Sequence, residues 1–208
     1  QGRARRRRIM GRSILLYNDN GSTIPFDLTE MTYTLHGSGV AVVEFAKPET
    51  YHSLTTQLRA EMFCVLEHMR RDPAVKVVVW TAQGDKAFCS GASLKGGFEL
   101  NVPQEIRKQY AMRGLMPNLK SDSAFVRETK AFWDFPKPIV AAINGLCVGG
   151  GVNMALCNYF DIVMCSTAAR FKLPFVDIGF TPELGSSLVL PLVMGPARAK
   201  QVVFTADW

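Results

Sequence analysis

The chain has 208 residues, 48% of them hydrophobic and 20% charged, which is the composition of one globular domain with a full core. Its apolar stretches are broken by glycine, asparagine or a charge well short of membrane-spanning length, so the sequence excludes a transmembrane helix. The net charge is +6, and six of the 24 basic residues are arginines in residues 1–12; the other 18 balance the 18 acids.

The arginine-rich segment, "QGRARRRRIMGR", contains no acid. Such a segment fits a disordered tail, the remnant of an organelle transit peptide or an arm that contacts RNA, and we favour these in that order. We expect residues 1–30 to form a flexible basic arm and lead-in, and residues 31–208 to form the core domain. The expected location is an organelle, with mitochondria and peroxisomes left undecided.

The first half of the chain alternates apolar runs with segments of helical spacing. Residues 39–46 ("GVAVVEFA") and 75–82 ("VKVVVWTA") predict buried strands, and residues 55–72 predict an amphipathic helix. A glycine-punctuated turn covers residues 84–97, and a helix is predicted near residues 104–113.

The second half repeats this alternation. Two further strands and three further helices are predicted at residues 123–135 (helix), 138–145 (strand), 151–158 (helix), 161–166 (strand) and from residue 197 (helix). Between the last two, residues 171–195 mix proline, glycine and apolar residues without a clear period. Because strands and helices alternate along the chain, the sequence predicts an α/β protein.

The five cysteines and three histidines predict neither disulfides nor a metal site. The cysteines are odd in number, form no C-x-x-C pair and lie mostly in apolar segments, which is typical of buried free thiols in a reducing compartment. The histidines are scattered, with no partner at the spacing of metal ligands.

Three consecutive glycines at positions 149–151 stand between a predicted strand and a predicted helix, in "INGLCVGGGVNMALC". The segment lacks both the G-x-G-x-x-G spacing of a dinucleotide-binding turn and the G-K-[ST] of a phosphate-binding loop. Glycine lets the backbone approach a ligand closely, and the unpaired N–H groups of a first helical turn suit an oxyanion. Close packing of the helix on the strand is the alternative explanation. A second turn of small residues, "FCSGASL" at 88–94, also follows a buried strand.

Together, "FCSGASLK" and "KPIVAAINGLCVGGGVNMALCNYFDIVMCSTAARFKLPFVDIGFTPELGSS" resemble the enoyl-CoA hydratase/isomerase (crotonase) superfamily. The resemblance runs from residue 39 to the end of the chain. It implies a crotonase-like spiral of repeated ββα units, which is an α/β fold. It also implies that the C-terminal helices of the family are missing, so we expect a core domain truncated at its C-terminus.

The resemblance implies a site as well. The N–H groups of Ala92 and Gly150 would form an oxyanion hole for the thioester carbonyl of an acyl-CoA substrate. The residues expected to line the substrate pocket are Ser90, Gly91, Ala92, Ser93, Leu94, Gly149, Gly150 and Phe175. The family usually carries Asp where this chain has Ser93, which weakens one polar anchor without removing the N–H groups. CoA would be part of the substrate, no other cofactor or metal is expected, and a homotrimer or a dimer of trimers is implied.

Acid and base residues decide which reaction a member of the superfamily performs. Hydratases usually carry two Glu residues at the positions that Asn153 and Phe175 occupy here, and neither of these side chains can transfer a proton. A carboxylate stands instead at Glu183, in "LPFVDIGFTPELGSS". This segment resembles the peroxisomal-type Δ3,Δ2-enoyl-CoA isomerases, in which this Glu is the catalytic base. Without the resemblance, a solvated loop acid or a helix-cap ligand would be the preferred explanation of Glu183.

The implied activity is an isomerase of fatty-acid β-oxidation that converts 3-enoyl-CoA to 2-enoyl-CoA. One carboxylate can take a proton from C2 and return it at C4, while two N–H groups stabilise the thioester dienolate. The apolar neighbours Phe175, Phe180 and Leu184 predict that the pKa of Glu183 is raised.

Three alternatives stay open: a hydratase-type lyase, a non-catalytic homologue and an RNA-binding homologue. Binding of nucleic acid is the less favoured one, because the excess positive charge is confined to residues 1–12.

Overall fold

The computed structural model describes residues 9–11, 13–93, 101–112, 123–157 and 159–208. Most of the predicted arginine arm lies outside these ranges, as does Leu94. The strands are β1 (Ile9–Gly11), β2 (Ser13–Tyr17), β3 (Thr23–Asp27), β4 (Met31–Leu35), β5 (Val40–Phe45), β6 (Val77–Ala82), β7 (Ala87–Cys89), β8 (Ile139–Ile143), β9 (Leu146–Val148), β10 (Ile162–Cys165) and β11 (Arg170–Lys172). The helices are α1 (Thr56–Arg71), α2 (Gln104–Met112), α3 (Ser123–Trp133), α4 (Gly150–Leu156), α5 (Ser186–Met194) and α6 (Pro196–Thr205).

The larger sheet has its strands in the order β1-β4-β5-β6-β8-β10. β1, β4 and β5 pair antiparallel, whereas β5, β6, β8 and β10 run parallel. Parallel neighbours need a crossover, which α1 supplies between β5 and β6. In β5 and β6, buried residues alternate with less buried ones, so that Val43, Phe45, Val78 and Trp80 face the core.

A second sheet of three parallel strands, in the order β11-β9-β7, positions the candidate site. β7 and β9 are neighbours and run in the same direction, so their carboxyl ends lie side by side. The two glycine-containing turns of the sequence follow these two ends directly. The topology alone therefore brings the two turns together.

Helix α1 anchors the core beside this sheet. The side chain of Thr55 accepts a hydrogen bond from the N–H of Leu58 at 2.9 Å, which caps the helix N-terminus. The last turn carries His68, Arg70 and Arg71, whose positive charge or polarity suits the C-terminal end of a helix. α1 is buried along most of its length and packs against β2 and α3.

The hairpin of β2 and β3 corrects the expectation that the residues before position 31 form a flexible lead-in. Ile14, Leu16, Phe26 and Leu28 are buried and belong to the main core. The sequence hid this hairpin because its strands are only five residues long and some of their exposed positions are apolar, such as Leu15 and Pro25, so that no clear alternation is visible. The boundary of the core domain at residue 31 stays a prediction.

The alternation of strands and helices predicted from residue 39 onward is confirmed, with ends that differ by a few residues. Three short strands, β7, β9 and β11, were not predicted, because three residues are too few to show a period. Helix α5 was missed within residues 171–195, since its sequence "SSLVLPLVM" has almost no polar face and contains Pro191. None of the helices within the described ranges is long and apolar enough to span a bilayer.

Four cysteines are buried as predicted, but Cys165 is exposed. The prediction was wrong here because β10 lies at the edge of the larger sheet and all four of its residues are exposed. An apolar sequence such as "DIVMC" indicates a strand without indicating what covers it.

Candidate active site

The turn after β7 and the turn after β9 are in contact through Gly91. This residue has φ +86°, a conformation that glycine adopts without strain. A Cβ atom added to Gly91 would lie 2.8 Å from the carbonyl oxygen of Val148 and 3.4 Å from the amide nitrogen of Gly150. Glycine is therefore required both by the backbone angle and by the approach of the second turn.

Ala92 presents a backbone N–H that no described group accepts. The residue forms a parallel bridge with Leu54, in which the Leu54 N–H donates to Gly91 O at 2.8 Å and the Ser93 N–H donates to Leu54 O at 3.1 Å. In such a bridge the N–H of the middle residue points away from the partner strand. Within the described residues the Ala92 N–H has no acceptor, and Ala92 is exposed.

Gly150 presents a second N–H of this kind. It is the first residue of α4, and Gly149 before it has φ +53° and ψ −117°, with no side chain to cap the helix. The Gly149 N–H donates to Lys172 O, whereas the Gly150 N–H has no acceptor in the described part of the chain. A Cβ atom on Gly150 would lie 4.0 Å from the Ala92 nitrogen and 3.0 Å from a methyl carbon of Leu54. The structure thus brings the two predicted donors together, Gly150 buried and Ala92 at the surface.

Two other predicted pocket residues, Ser90 and Phe175, have a structural role. The Ser90 N–H donates to Tyr51 O at 3.0 Å and its hydroxyl donates to Thr50 O at 3.3 Å, which ties the turn to the preceding loop. Phe175 is 5% exposed and belongs to the main core.

That preceding loop is fixed by His52, which is buried and has φ +53°. The Lys47 N–H donates to Nδ1 at 3.1 Å, so Nε2, 3.0 Å from Gln83 O, carries the ring proton. The ring is neutral in this arrangement, and burial lowers the pKa of His52 below its ordinary value of 6.5.

This arrangement predicts a pH-dependent stability. In the window below the ordinary pKa, the unfolded chain binds a proton that the folded chain does not, so the free energy of unfolding falls as the pH is lowered through about 6.5. His52→Asn, which tolerates the positive φ, should lose less stability on acidification than the parent protein. Urea unfolding at about pH 7.5 and about pH 5.5 measures this. His68, whose pKa is also lowered, remains in both proteins, and equal losses would show that the fold does not oppose the charging of His52.

Glu183 lies half-buried in the segment before α5, and its backbone is bound to α4. Its carbonyl oxygen accepts from Asn153 Nδ2 at 3.1 Å, from the Ser186 N–H at 2.9 Å and from Ser186 Oγ at 2.6 Å. The next two residues, Leu184 and Gly185, have φ +51° and φ +80°. The predicted base is therefore carried on a tight turn attached to the same helix that begins with Gly150.

The pKa of Glu183 is raised, mainly because burial disfavours the charged carboxylate. The Arg59 guanidinium opposes this shift, and the Glu128 carboxylate adds to it. The predicted surroundings are correct for Leu184, which is 8% exposed, and wrong for Phe180, which is 65% exposed and turns towards solvent. Besides burial, the pKa of Glu183 is therefore influenced by charged groups from α1 and α3 and not by Phe180.

Those charged groups form a buried network that the sequence analysis missed. Arg59 Nε donates to Glu128 at 2.9 Å, and the Tyr159 hydroxyl donates to Glu128 Oε1 at 3.4 Å. Glu128 is 1% exposed, and its pKa is raised by burial despite the guanidinium of Arg59. A signal exists in the sequence, since Arg59 stands four residues before Phe63 and Glu128 four residues before Phe132, on faces that are otherwise apolar.

Two further acids, Asp161 and Asp177, have structural partners. Asp161 accepts the N–H of Ile139 at 2.7 Å, and Asp177 forms an ion pair with Lys172. Across the described ranges, no three His, Cys, Asp or Glu side chains come together as a group that could hold a metal ion.

The sequence profile of the enoyl-CoA hydratase/isomerase family matches residues 36–208. The chain belongs to the enoyl-CoA hydratase/isomerase family. The crotonyl-CoA hydratase of Syntrophomonas wolfei and the short-chain-enoyl-CoA hydratase of Clostridium acetobutylicum are each 31% identical over 168 residues, which is 81% of this chain and 59% of each relative. The chain thus spans about three fifths of the length of these relatives.

Solved structures of the family confirm the α/β fold. Pseudomonas aeruginosa OdaA has 31% identity and a TM-score of 0.64, over 82% of this chain and 61% of that one. The enoyl-CoA hydratase/isomerase of Pseudoalteromonas atlantica has 29% identity and a TM-score of 0.66, over 86% of this chain and 63% of that one. These values confirm the crotonase-like fold class that the glycine turns implied.

The relatives correct the expected location. The curated proteins named above are bacterial, and bacteria have neither mitochondria nor peroxisomes. The expectation of an organellar location is therefore wrong, and with it the interpretation of the arginines as a transit-peptide remnant loses its support.

Proposed function

We propose that this member of the enoyl-CoA hydratase/isomerase family is a Δ3,Δ2-enoyl-CoA isomerase, which moves the double bond of 3-enoyl-CoA to 2-enoyl-CoA. One juxtaposition supports this most strongly. Two N–H groups without acceptors among the described residues, on Ala92 and Gly150, meet at one place, and the half-buried carboxylate of Glu183 sits on a turn bound to the helix of Gly150.

The chemistry requires one base and one oxyanion hole. Glu183 takes a proton from C2 of the substrate, which leaves a dienolate with negative charge on the thioester oxygen. The Ala92 and Gly150 N–H groups hold that oxygen, each contributing about 3 kcal/mol by analogy with oxyanion-hole deletions. Protonated Glu183 then returns the proton at C4, which restores the carboxylate and leaves the conjugated 2-enoyl thioester. No water is activated, which agrees with Asn153 and Phe175 at the two positions where hydratases carry Glu.

The substrate is an acyl-CoA, and the CoA is part of it, so the proposed reaction needs no further cofactor. We propose that the pocket is formed by Ser90, Gly91, Ala92, Ser93, Gly149, Gly150 and Phe175; Leu94, also predicted, lies outside the described residues. We place the reaction in fatty-acid β-oxidation and the protein in a homotrimer or a dimer of trimers. Exposed Ile162 and Met164 on the edge strand β10 support an assembly, because such apolar side chains are usually covered.

Hydration of a 2-enoyl-CoA is the second candidate, because Glu128 provides a second carboxylate within electrostatic reach of Glu183. Two of the relatives described above are named as hydratases, which also favours hydration. Against it, Glu128 already binds Arg59 and the Tyr159 hydroxyl, and that leaves it poorly suited to activating a water. Isomerisation needs nothing from Glu128.

A spectrophotometric assay separates the two candidates. Trans-3-enoyl-CoA should be converted to a conjugated thioester, seen as a gain of ultraviolet absorbance, whereas trans-2-enoyl-CoA should keep its absorbance. Loss of the absorbance of trans-2-enoyl-CoA, with no change in trans-3-enoyl-CoA, would replace isomerisation with hydration. Inactivity with both, together with salt-sensitive RNA binding that disappears when residues 1–12 are removed, would favour the RNA-binding alternative.

A further inference from the structure

Asn153 is the only described side chain from another element that donates a hydrogen bond to the Glu183 backbone. The Glu183 carbonyl also accepts two hydrogen bonds from Ser186, but these close the turn on itself and fix only its internal shape. The bond from Asn153 Nδ2 connects the turn to α4. Its loss would leave packing alone to hold the turn on the helix, so that the turn opens more often and shifts relative to α4.

The turn needs such a connection because of its backbone. Leu184 has φ +51°, which is unfavourable for a residue with a Cβ atom, and Gly185 follows with φ +80°. Two successive left-handed residues persist only when surrounding contacts hold them. Leu184 and Ser186 are both buried, so packing helps to hold the turn. Packing alone does not fix the position of the neighbouring Glu183 carboxylate relative to α4.

The Asn153 side chain is poorly explained as a core residue. It is fully buried, and its Oδ1 has no hydrogen-bond partner in the described structure. An unpaired buried acceptor lowers stability, and leucine of similar size would remove that cost. An amide at this position provides the Nδ2 hydrogen bond to the Glu183 carbonyl, which an apolar side chain cannot make.

The helix connects this amide to the oxyanion hole. Gly150 begins α4, and the Asn153 N–H donates to Gly149 O at 3.0 Å, so the two residues share one helical turn. The separation between the Gly150 N–H and the Glu183 turn therefore depends on that one turn and one side-chain hydrogen bond.

We propose that Asn153 is a positioning residue, which holds the turn of Glu183 on the first turn of α4 so that the base and the oxyanion hole keep one fixed geometry. This inference rests on the proposed function for its catalytic consequence. Asn153 does not touch the reacting atoms. Its amide acts through the Glu183 backbone.

The test uses two replacements of similar volume, Asn153→Leu and Asn153→Asp, both of which lack the Nδ2 donor. We expect kcat for trans-3-enoyl-CoA to fall by about 100-fold in both, since a displacement of about 1 Å is enough for such a loss, while KM stays within about threefold. The thermal midpoint of Asn153→Leu should stay unchanged or rise, because the unpaired Oδ1 is gone. A purely structural role predicts the reverse, a lower midpoint with an unchanged kcat.

Asn144→Leu is the matched control. Asn144 also has an unpaired, buried Oδ1 and also donates Nδ2 to backbone carbonyls, those of Ala82 and Gly84, away from the Glu183 turn. This variant loses two hydrogen bonds where Asn153→Leu loses one, so its thermal midpoint should fall, and its kcat should stay within about threefold of the parent. An equal loss of kcat in Asn144→Leu and Asn153→Leu would overturn the proposal.

Amide hydrogen exchange provides a readout that needs no activity. Exchange at the Ser186 N–H should rise by about tenfold or more in Asn153→Leu and stay unchanged in Asn144→Leu. If the parent protein does not isomerise 3-enoyl-CoA, the proposed function fails, and this exchange measurement still decides whether Asn153 holds the turn. Unchanged exchange at Ser186, or an undiminished kcat, would show that it does not.

Discussion

Glu183→Gln is expected to abolish isomerisation while leaving the binding of an acyl-CoA nearly intact. Gln has the shape of Glu and keeps the backbone hydrogen bonds of Asn153 and Ser186, but it cannot take a proton from C2. Loss of a general base lowers the rate by about 10²- to 10⁴-fold, and we expect the upper part of that range because no second carboxylate takes part in the proposed mechanism. Turnover of trans-3-enoyl-CoA and calorimetric binding of the same ester measure the two effects.

The same variant should remain folded. The pKa of Glu183 is higher in the folded than in the unfolded chain, so its stabilising contribution exists only at low pH and is lost as the pH rises through the raised pKa. Above that raised pKa the ionised, half-buried carboxylate is unfavourable, and a neutral amide should leave the thermal midpoint unchanged or higher. Retained turnover in the folded variant would remove Glu183 from the role of base.

The parent enzyme should show the corresponding pH profile. A base acts only when deprotonated, so kcat/KM should fall on acidification through the pKa of Glu183, at a pH above the ordinary value of 4.5. A profile that stays flat down to that ordinary value would show that another group limits the reaction.

Gly91→Ala is expected to disable the oxyanion hole. The added Cβ would lie 2.8 Å from Val148 O and 3.4 Å from the Gly150 nitrogen, and both contacts are with backbone. The two turns must then separate, which moves the Ala92 and Gly150 N–H groups apart. Since each donor contributes about 3 kcal/mol, we expect at least a 100-fold loss of kcat/KM in the isomerisation assay.

Gly84→Ala provides the matched control for this experiment. Gly84 has φ +78°, close to the +86° of Gly91, but nothing lies within 4 Å of a Cβ added there. Both variants therefore carry the strain of a left-handed alanine, about 1 kcal/mol, and only Gly91→Ala has the collision. Circular dichroism and thermal melting confirm that both are folded. Equal activity losses would trace the effect to strain in general and leave the donors without support.

Local sequence was sufficient for much of the fold. The alternating burial of β5 and β6, the capped amphipathic helix α1 and the glycines at the ends of β7 and β9 each have a signal within a few neighbouring residues. The pairing of the two turns needed more, because it depends on β9 lying beside β7 in the smaller sheet.

The resemblance in the glycine turns and in "LPFVDIGFTPELGSS" carried the family and the candidate residues, and the profile match over residues 36–208 confirms the family. The resemblance did not predict the hairpin of β2 and β3. The contribution of this hairpin to the core is seen only in the structure, where α1 packs against it. The resemblance also misplaced Phe180, because proximity in sequence to Glu183 says nothing about which side of a turn a side chain takes.

Taken alone, the sequence determined where glycine leaves the backbone uncovered and which segments repeat with strand or helix periodicity, and it predicted that a single carboxylate takes the place of the usual pair. Only the tertiary structure decided what surrounds that carboxylate. Arg59, Glu128 and Asn153 lie on three helices far apart in the chain, and they come together because those helices pack on one core. The charge state and the position of Glu183 depend on these long-range contacts, which no local pattern of residues encodes.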